Sequence, residues 1–310
     1  MKQATLPALC AAALVLAAPM PTQARVSDTV KSGPEINEIS QRTTLLIVGF
    51  NNNGQPMGHG SGSLVARDGS TCVGVTNAHV IDVPGAQFVV RTSDQAMHRV
   101  TDVRAFANED LAVVTFECQG NYEPITIATY QLSPGQTVYL SGWPGDGNPT
   151  GGLTRQFTSG TISTLLDRPV EGYQVGYTNV TRSGMSGGQV LDDAGRLVAI
   201  HGIGTLEDAR VIAQRLNVPV ETAQGLAQKT GFNYGIPVAT FLGRASQAGL
   251  NHPYDVAFSA PQASGSGAVT RPGDYTHQPN ASDRVSFDDM LGNVNQLLDT
   301  FGRFRRIFGF

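Results

Sequence analysis

The sequence predicts an all-β protein, and three observations carry that expectation. From Thr43 to about Leu242 the chain is a succession of short β-branched and apolar runs separated by Gly, Pro, Asn and Asp. Their spacing is regular, the pattern of antiparallel barrels or a sandwich. Inside this region a single stretch, Leu206 to Gln228, has helical periodicity, and its position between two strands makes it an insertion.

The runs follow one another as TTLLIVGF from Thr43, GSGSLVA from Gly60, STCVGVTNA from Ser70, AQFVVRT from Ala86 and DLAVVTFEC from Asp110. QTVYLSG from Gln136, TRQFTSGTIS from Thr154, YQVGYTN from Tyr173, GGQVL from Gly187, LVAIHGI from Leu197 and NYGIPVA from Asn233 continue the series. VLDDAGRLV is a hairpin signal with Asp192 to Gly195 as its turn. A closing helix is expected over Ala239 to Gln247. Beyond it, residues 251–284 are rich in Pro, Ser and Gly and read as a linker. Residues 285–310 regain helical spacing through Phe287, Met290, Leu291, Val294, Leu298, Phe301, Phe304 and Phe308. Ser286 and Asp289 form the N-cap pattern, and Arg303, Arg305 and Arg306 suit the negative end of the dipole. Such an amphipathic helix could lie on a membrane, dock a partner or cover its own domain.

At the other end, Lys2, the apolar run Leu6 to Ala18 and the small-residue exit Thr22-Gln23-Ala24 form an export signal over residues 1–24, leaving a domain over 25–250. The run is too short to span a bilayer. The net charge of −4 becomes one unit more negative when Lys2 leaves, and no basic cluster points to nucleic acid. Cys10 leaves with the signal. The remaining Cys72 and Cys118 are expected to pair in an oxidising compartment.

Chemistry concentrates in TRSGMSGGQV, residues 181–190, where Ser186 stands among glycines that let the backbone turn sharply beside a substrate carbonyl. A serine hydroxyl needs a base, and the base needs an orienting group. His79 in TNAHV ends one β-run and Asp110 in NEDLAVV begins another, giving the chain order His79, Asp110, Ser186. An esterase or lipase would also satisfy the G-x-S-x-G spacing, but its histidine comes last in the order and its strands alternate with helices. A non-catalytic binding protein on the same scaffold would have lost one of the three residues, and none is lost.

TNAHV, DLAVV and GMSGG together resemble the catalytic signatures of trypsin-like serine proteases, particularly bacterial exported forms related to the HtrA protease domain and to glutamyl endopeptidases. The resemblance covers roughly Thr43 to Leu242. It implies a chymotrypsin-like fold of two six-stranded antiparallel β-barrels, about 43–120 and 125–242, acting on polypeptides without a cofactor. It implies Ser186 as nucleophile, His79 as general base and then acid, Asp110 as the residue fixing the imidazole tautomer, and the N–H groups of Gly184 and Ser186 as the oxyanion hole.

Val180, Thr181 and His201 then frame the primary pocket. Thr181 and His201 coincide with the threonine and histidine that glutamyl endopeptidases direct at an acidic P1 side chain; a small or apolar P1 preference is the alternative. Gly202, Ile203 and Gly204 would form the strand edge pairing with the substrate backbone. Met185 stands where zymogen-activated trypsins carry an aspartate, and Gln189 where a proline is usual. If the strands after Cys72 and before Cys118 run antiparallel with His79 and Asp110 at one end, the cysteines meet about 25 Å away at the other. His59, His98, His252 and His277 form no metal-ligand spacing, so no metal is expected, and Trp143 reads as a packing residue.

Overall fold

A computed structural model describes residues 28–145, 152–206, 219, 229–262 and 284–285. Helix α1 (Gly33–Thr43) opens the described chain. Ser32 caps it: its N–H and hydroxyl both donate to the Glu35 carboxylate, at 2.8 and 2.7 Å, and Pro34 presets the first turn. The helix was not expected from hydrophobic periodicity, because its inward face carries Asn37, Ser40 and Thr43 beside Ile36.

Strands β1 (Thr44–Phe50), β2 (Pro56–Asp68), β3 (Thr71–Thr76), β4 (Gln87–Arg91), β5 (Met97–Ala105) and β6 (Ala112–Glu117) form a closed barrel in the order β1-β2-β3-β6-β5-β4, with a one-turn helix α2 (Ala78–Ile81) after β3. Antiparallel pairing of β4 with β1, from Leu46↔Arg91 to Phe50↔Gln87, closes the ring. A short β7 (Ile127–Ala128) leads into the second half, which contains β8 (Thr137–Gly142), β9 (Leu153–Thr154), β10 (Gln156–Val170), β11 (Tyr173–Tyr177), β12 (Gln189–Leu191), β13 (Leu197–Leu206) and β14 (Lys229–Pro237). Here β12, β8, β10, β11, β14 and β13 pair in sequence. The β12–β13 register, Gln189↔Ile200 and Val190↔Ala199, closes a second six-stranded antiparallel barrel. Helix α3 (Val238–Gln247) caps it. Strand β15 (Val256–Ala257) adds to β7 in parallel, and β16 (Arg284–Val285) pairs with β9.

The fold expected from the sequence is therefore present: two closed six-stranded antiparallel barrels with few helices. Within the stretch read as a linker, Val256 and Ala257 pair with β7, and Gln262 pairs with Thr29. The helical insertion over 206–228 falls, except for Leu206 and Pro219, outside the described residues. So do the export signal over 1–24 and the terminal helix beyond Val285. Among the described residues no helix is long and apolar enough to cross a membrane.

Both faces of the central strands are buried, which explains their near-continuous apolar sequences. On β1, Leu45 and Ile47 fill the first barrel, while Leu46, Val48 and Phe50 pack outward with Trp143 and Leu153 of the second half. On β3, Cys72 enters the first barrel core. Val73 and Val75 face a shared cluster with Leu111, Tyr139, Tyr173, Leu191 and Ile200. This cluster joins the barrels, and each aliphatic side chain buried there contributes about 1.5–3 kcal/mol. Strand β5 behaves differently: with one face in solvent and a register shift between Val100 and Asp102, it has the charged sequence MHRVTDVRA.

Strands β3 and β6 run antiparallel from Thr76↔Ala112 at one end to Thr71↔Glu117 at the other, and Cys72 and Cys118 are disulfide-bonded at the latter, with Cα atoms 5.8 Å apart. The bridge closes a loop of 46 residues. Reduction, or the paired change Cys72→Ala and Cys118→Ala, should lower unfolding free energy by about 2–4 kcal/mol. Denaturant titration read by near-UV circular dichroism measures it; an unchanged midpoint would remove the stabilising role.

Candidate active site

Strand β3 ends at Thr76, Asn77 holds an extended conformation (φ −83°, ψ 152°), and α2 turns His79 outward with 49% of its side chain exposed. Asp110 lies just before β6 and opposite. Its Oδ2 accepts from His79 Nδ1 at 2.6 Å, its Oδ1 accepts the His79 backbone N–H at 2.9 Å, and the Tyr173 hydroxyl also donates to Oδ2. Its backbone is fixed as well: the N–H donates to the Glu171 carbonyl at 2.9 Å, and the carbonyl accepts from Asn77 Nδ2 at 2.8 Å. Burial pushes the Asp110 carboxyl upward, but the hydrogen bonds from His79 and Tyr173 outweigh it and hold the group below the ordinary carboxylate value. With Nδ1–H given to this carboxylate, Nε2 carries the imidazole lone pair.

Ser186 stands in the loop between β11 and β12. Gly184 and Gly187 adopt φ of +91° and +83°. A side chain on Gly187 would run into the Ser61 carbonyl and the Thr76 hydroxyl, and one on Gly184 into His59 and, at 2.6 Å, the Trp143 carbonyl. Space and backbone handedness both demand glycine there.

Peptide orientation in the loop is set by one bond from outside it and one within it. The Gly145 N–H donates to the Ser183 carbonyl at 2.9 Å, and the Gly188 N–H to the Met185 carbonyl at 2.9 Å. Because a trans peptide directs N–H opposite to C=O, the N–H groups of Gly184 and Ser186 are turned away from these contacts. Among the described residues neither has a hydrogen-bond acceptor.

Ser61 of β2, a residue that motif reasoning did not single out, crosses from the first barrel to hold this loop. Its hydroxyl donates to the Gly184 carbonyl at 3.0 Å and accepts the Trp143 N–H at 2.8 Å, and its N–H donates to the Ser186 carbonyl at 2.7 Å. The Thr76 hydroxyl donates to the Ser61 carbonyl at 2.7 Å.

The Ser186 hydroxyl donates to the Gly202 carbonyl at 3.2 Å, and among the described residues no hydrogen bond joins it to His79. Gly202 falls at a register shift of the β13–β14 ladder, between His201↔Gly235 and Ile203↔Tyr234. Such a bulge frees a carbonyl from strand pairing. The adjoining ladder holds firmly: the Gly187 N–H donates to the His201 carbonyl at 2.8 Å, and the His201 N–H to the Gly188 carbonyl at 2.9 Å.

Thr181 and His201 are both buried. Thr181 donates to Asn233 Oδ1 at 2.6 Å, and His201 Nδ1 lies 2.6 Å from the Tyr177 hydroxyl. Val180 and Ile203, by contrast, are 49% and 45% exposed. Met185 is buried in the second-barrel core, so an apolar contact anchors the serine loop where an aspartate would form an ion pair. Gln189 ties β12 to the start of β1, donating to the Thr43 hydroxyl at 2.8 Å and accepting from that of Thr44 at 3.0 Å.

The remaining histidines have local partners. His59 Nε2 is 3.1 Å from the Trp143 carbonyl, His98 bonds Glu117 and Tyr122, and the His252 ring lies edge-on to Tyr254. His277 lies outside the described residues. Among those described, no group of His, Cys, Asp and Glu side chains could hold a metal ion.

Residues 60–200 match the family model of the trypsin-like peptidase domain. No curated protein matches the chain. The domain match together with two closed six-stranded barrels fits a chymotrypsin-fold serine protease, and supports a protease hydrolase.

Two outcomes follow from this geometry. Ser61→Ala leaves the Trp143 N–H and Gly184 carbonyl without their shared partner, so hydrolysis should lose about ten-fold in kcat with little change in KM, measured on a peptide substrate. Asp110, held below its unfolded value of 3.8, contributes stability above that pH and loses it as pH falls through its folded value. The stability advantage of the wild type over Asp110→Asn should therefore shrink as pH falls below about 4, read from denaturant midpoints across pH.

Proposed function

We propose that the protein is an exported serine endopeptidase that cleaves peptide bonds through an acyl-enzyme. In this reading His79 Nε2 takes the Ser186 proton as Oγ attacks the scissile carbonyl. The same proton then passes to the leaving amine as the C–N bond breaks, and water repeats the sequence to release the acid. Asp110 holds the ring in the tautomer this needs. The N–H groups of Gly184 and Ser186 receive the developing oxyanion, each contributing about 3 kcal/mol to lowering the barrier. The observation that carries the reading is that the N–H groups of Gly184 and Ser186 have no acceptor among the described residues, in a molecule that also holds the Asp110–His79 pair. The two-barrel fold removes the α/β esterase alternative, which needs strands alternating with helices.

Before attack, the Ser186 hydroxyl exchanges the Gly202 carbonyl for His79 by rotation about its Cα–Cβ bond. A substrate strand laid along Gly202, Ile203 and Gly204 would offer its own N–H groups to this edge. At P1 the proposal is an acidic side chain met by Thr181 and His201. A small or apolar P1 is the second reading, favoured by the burial of those two polar groups and the exposure of Val180 and Ile203. Export rests on the leader over residues 1–24 and agrees with the Cys72–Cys118 disulfide.

Incubating the protein and its Ser186→Ala variant with a proteome-derived peptide pool, followed by mass spectrometry of the new termini, decides these points. The expected result is cleavage after Glu or Asp that disappears in the variant. Cleavage after Val, Ala or Leu would transfer the P1 assignment to the apolar reading. Cleavage that persists in the variant, or none at all, would sink the protease mechanism.

A further inference from the structure

The turn joining β10 to β11 reaches from the second barrel to Asp110. Glu171 and Gly172 both take positive φ, +50° and +87°, which makes the reversal tight. The tip packs beside Asp110: the Asp110 N–H donates to the Glu171 carbonyl at 2.9 Å, and a Cβ on Gly172 would lie 3.1 Å from both Glu109 Cγ and Ile236 Cγ2. Immediately after the tip, Tyr173 is 3% exposed, its ring sits in the apolar cluster between the barrels, and its hydroxyl donates to Asp110 Oδ2. That is the oxygen already bonded to His79 Nδ1.

Residue 202 answers this arrangement. A Cβ there would collide with the Tyr173 hydroxyl and stand 2.7 Å from its ring carbons Cε1 and Cζ, so Tyr173 occupies the space a side chain at 202 would need. The same Gly202 presents its carbonyl to Ser186. Tyr173 thus touches the carboxylate on one side and the strand holding the serine on the other. Burial, and then the bond to Asp110, push its phenol far above the ordinary range, so it remains a donor throughout the working pH.

We propose that Tyr173 is a positioning residue for the Asp110–His79 pair, fixing the carboxylate plane from the opposite barrel through a hydrogen bond to Oδ2 and thereby requiring glycine at position 202. The proposal rests on the serine-protease reading given above. His79 alone supplies the other two bonds to these oxygens, its N–H to Oδ1 and Nδ1 to Oδ2, so without the phenol the carboxylate follows any shift of α2. A donor from the second barrel fixes it independently of His79. Without the phenol, more of the carboxylate charge faces the imidazole, which favours its cationic form.

The test is Tyr173→Phe in the full-length protein, with functional sites counted by a fluorophosphonate label. Expected are a kcat per labelled site about ten-fold lower, a KM within two-fold of the wild type, and an acidic limb of the kcat/KM profile moved to higher pH. Where the larger truncation Tyr173→Ala lowers activity further, adding Gly202→Ser should restore part of it, because the new hydroxyl enters the vacated space. Unchanged kcat per site together with an unchanged pH profile would overturn the proposal.

A second readout is independent of turnover. The downfield proton resonance of His79 Nδ1–H, identified by its loss in His79→Ala, should shift in Tyr173→Phe; an unmoved resonance would count against any hold of Tyr173 on the pair. Failure of the protease reading has a different signature: the wild type would show no Ser186-dependent hydrolysis, while this resonance would still report on Tyr173.

Discussion

Val73 and Val75 project out of one closed barrel into the flank of another, where Tyr139, Tyr173, Leu191 and Ile200 receive them. This apolar seam is what the rest of the structure depends on. Neither barrel has a free face on the strands that line it, so each would expose a greasy wall alone, and docking is the way both are covered. His79 and Asp110 belong to the first barrel and Ser186 to the second, so any working arrangement of the three exists only while the seam is closed.

Polar contacts refine what the seam brings together. Ser61 reaches across to fix the loop around Gly184, and Tyr173 reaches back to Asp110. These two crossings run in opposite directions, and each is made by a buried hydroxyl. They couple alignment of the candidate site to barrel docking more tightly than apolar packing could, since hydrogen bonds weaken steeply with misdirection whereas van der Waals contacts tolerate sliding.

Much of the fold is legible in the sequence because strands buried on both faces must be apolar at nearly every position, as TLLIVGF and TCVGVT are. The Asp192–Gly195 turn is equally plain: Gly195 takes φ +78°, and the Asp192 N–H bonds the Arg196 carbonyl. Strand β5 is hidden by its solvent face, and α1 by a polar inward face that serves Arg155, whose guanidinium donates to Asn37, Ser40 and Ser141. His79, Asp110 and Ser186 could be singled out because a histidine, an aspartate and a glycine-flanked serine follow one another in an order that suits a base, its orienting acid and a nucleophile. Ser61 and Tyr173 could not, since their value lies in contacts with residues 123 and 63 positions away. For Thr181 and His201 the residue types were readable, but their burial and partners were not.

Met185 carries a consequence of its own. The loop bearing Ser186 is pinned by a thioether sunk among Val138, Leu140 and Val190, not by a newly liberated ammonium group. Its anchorage is therefore apolar and calls for no charged partner at this position. Burial also shields the thioether from oxidants, which matters because a sulfoxide at that sulfur would put a strong dipole into hydrocarbon and loosen the loop from beneath.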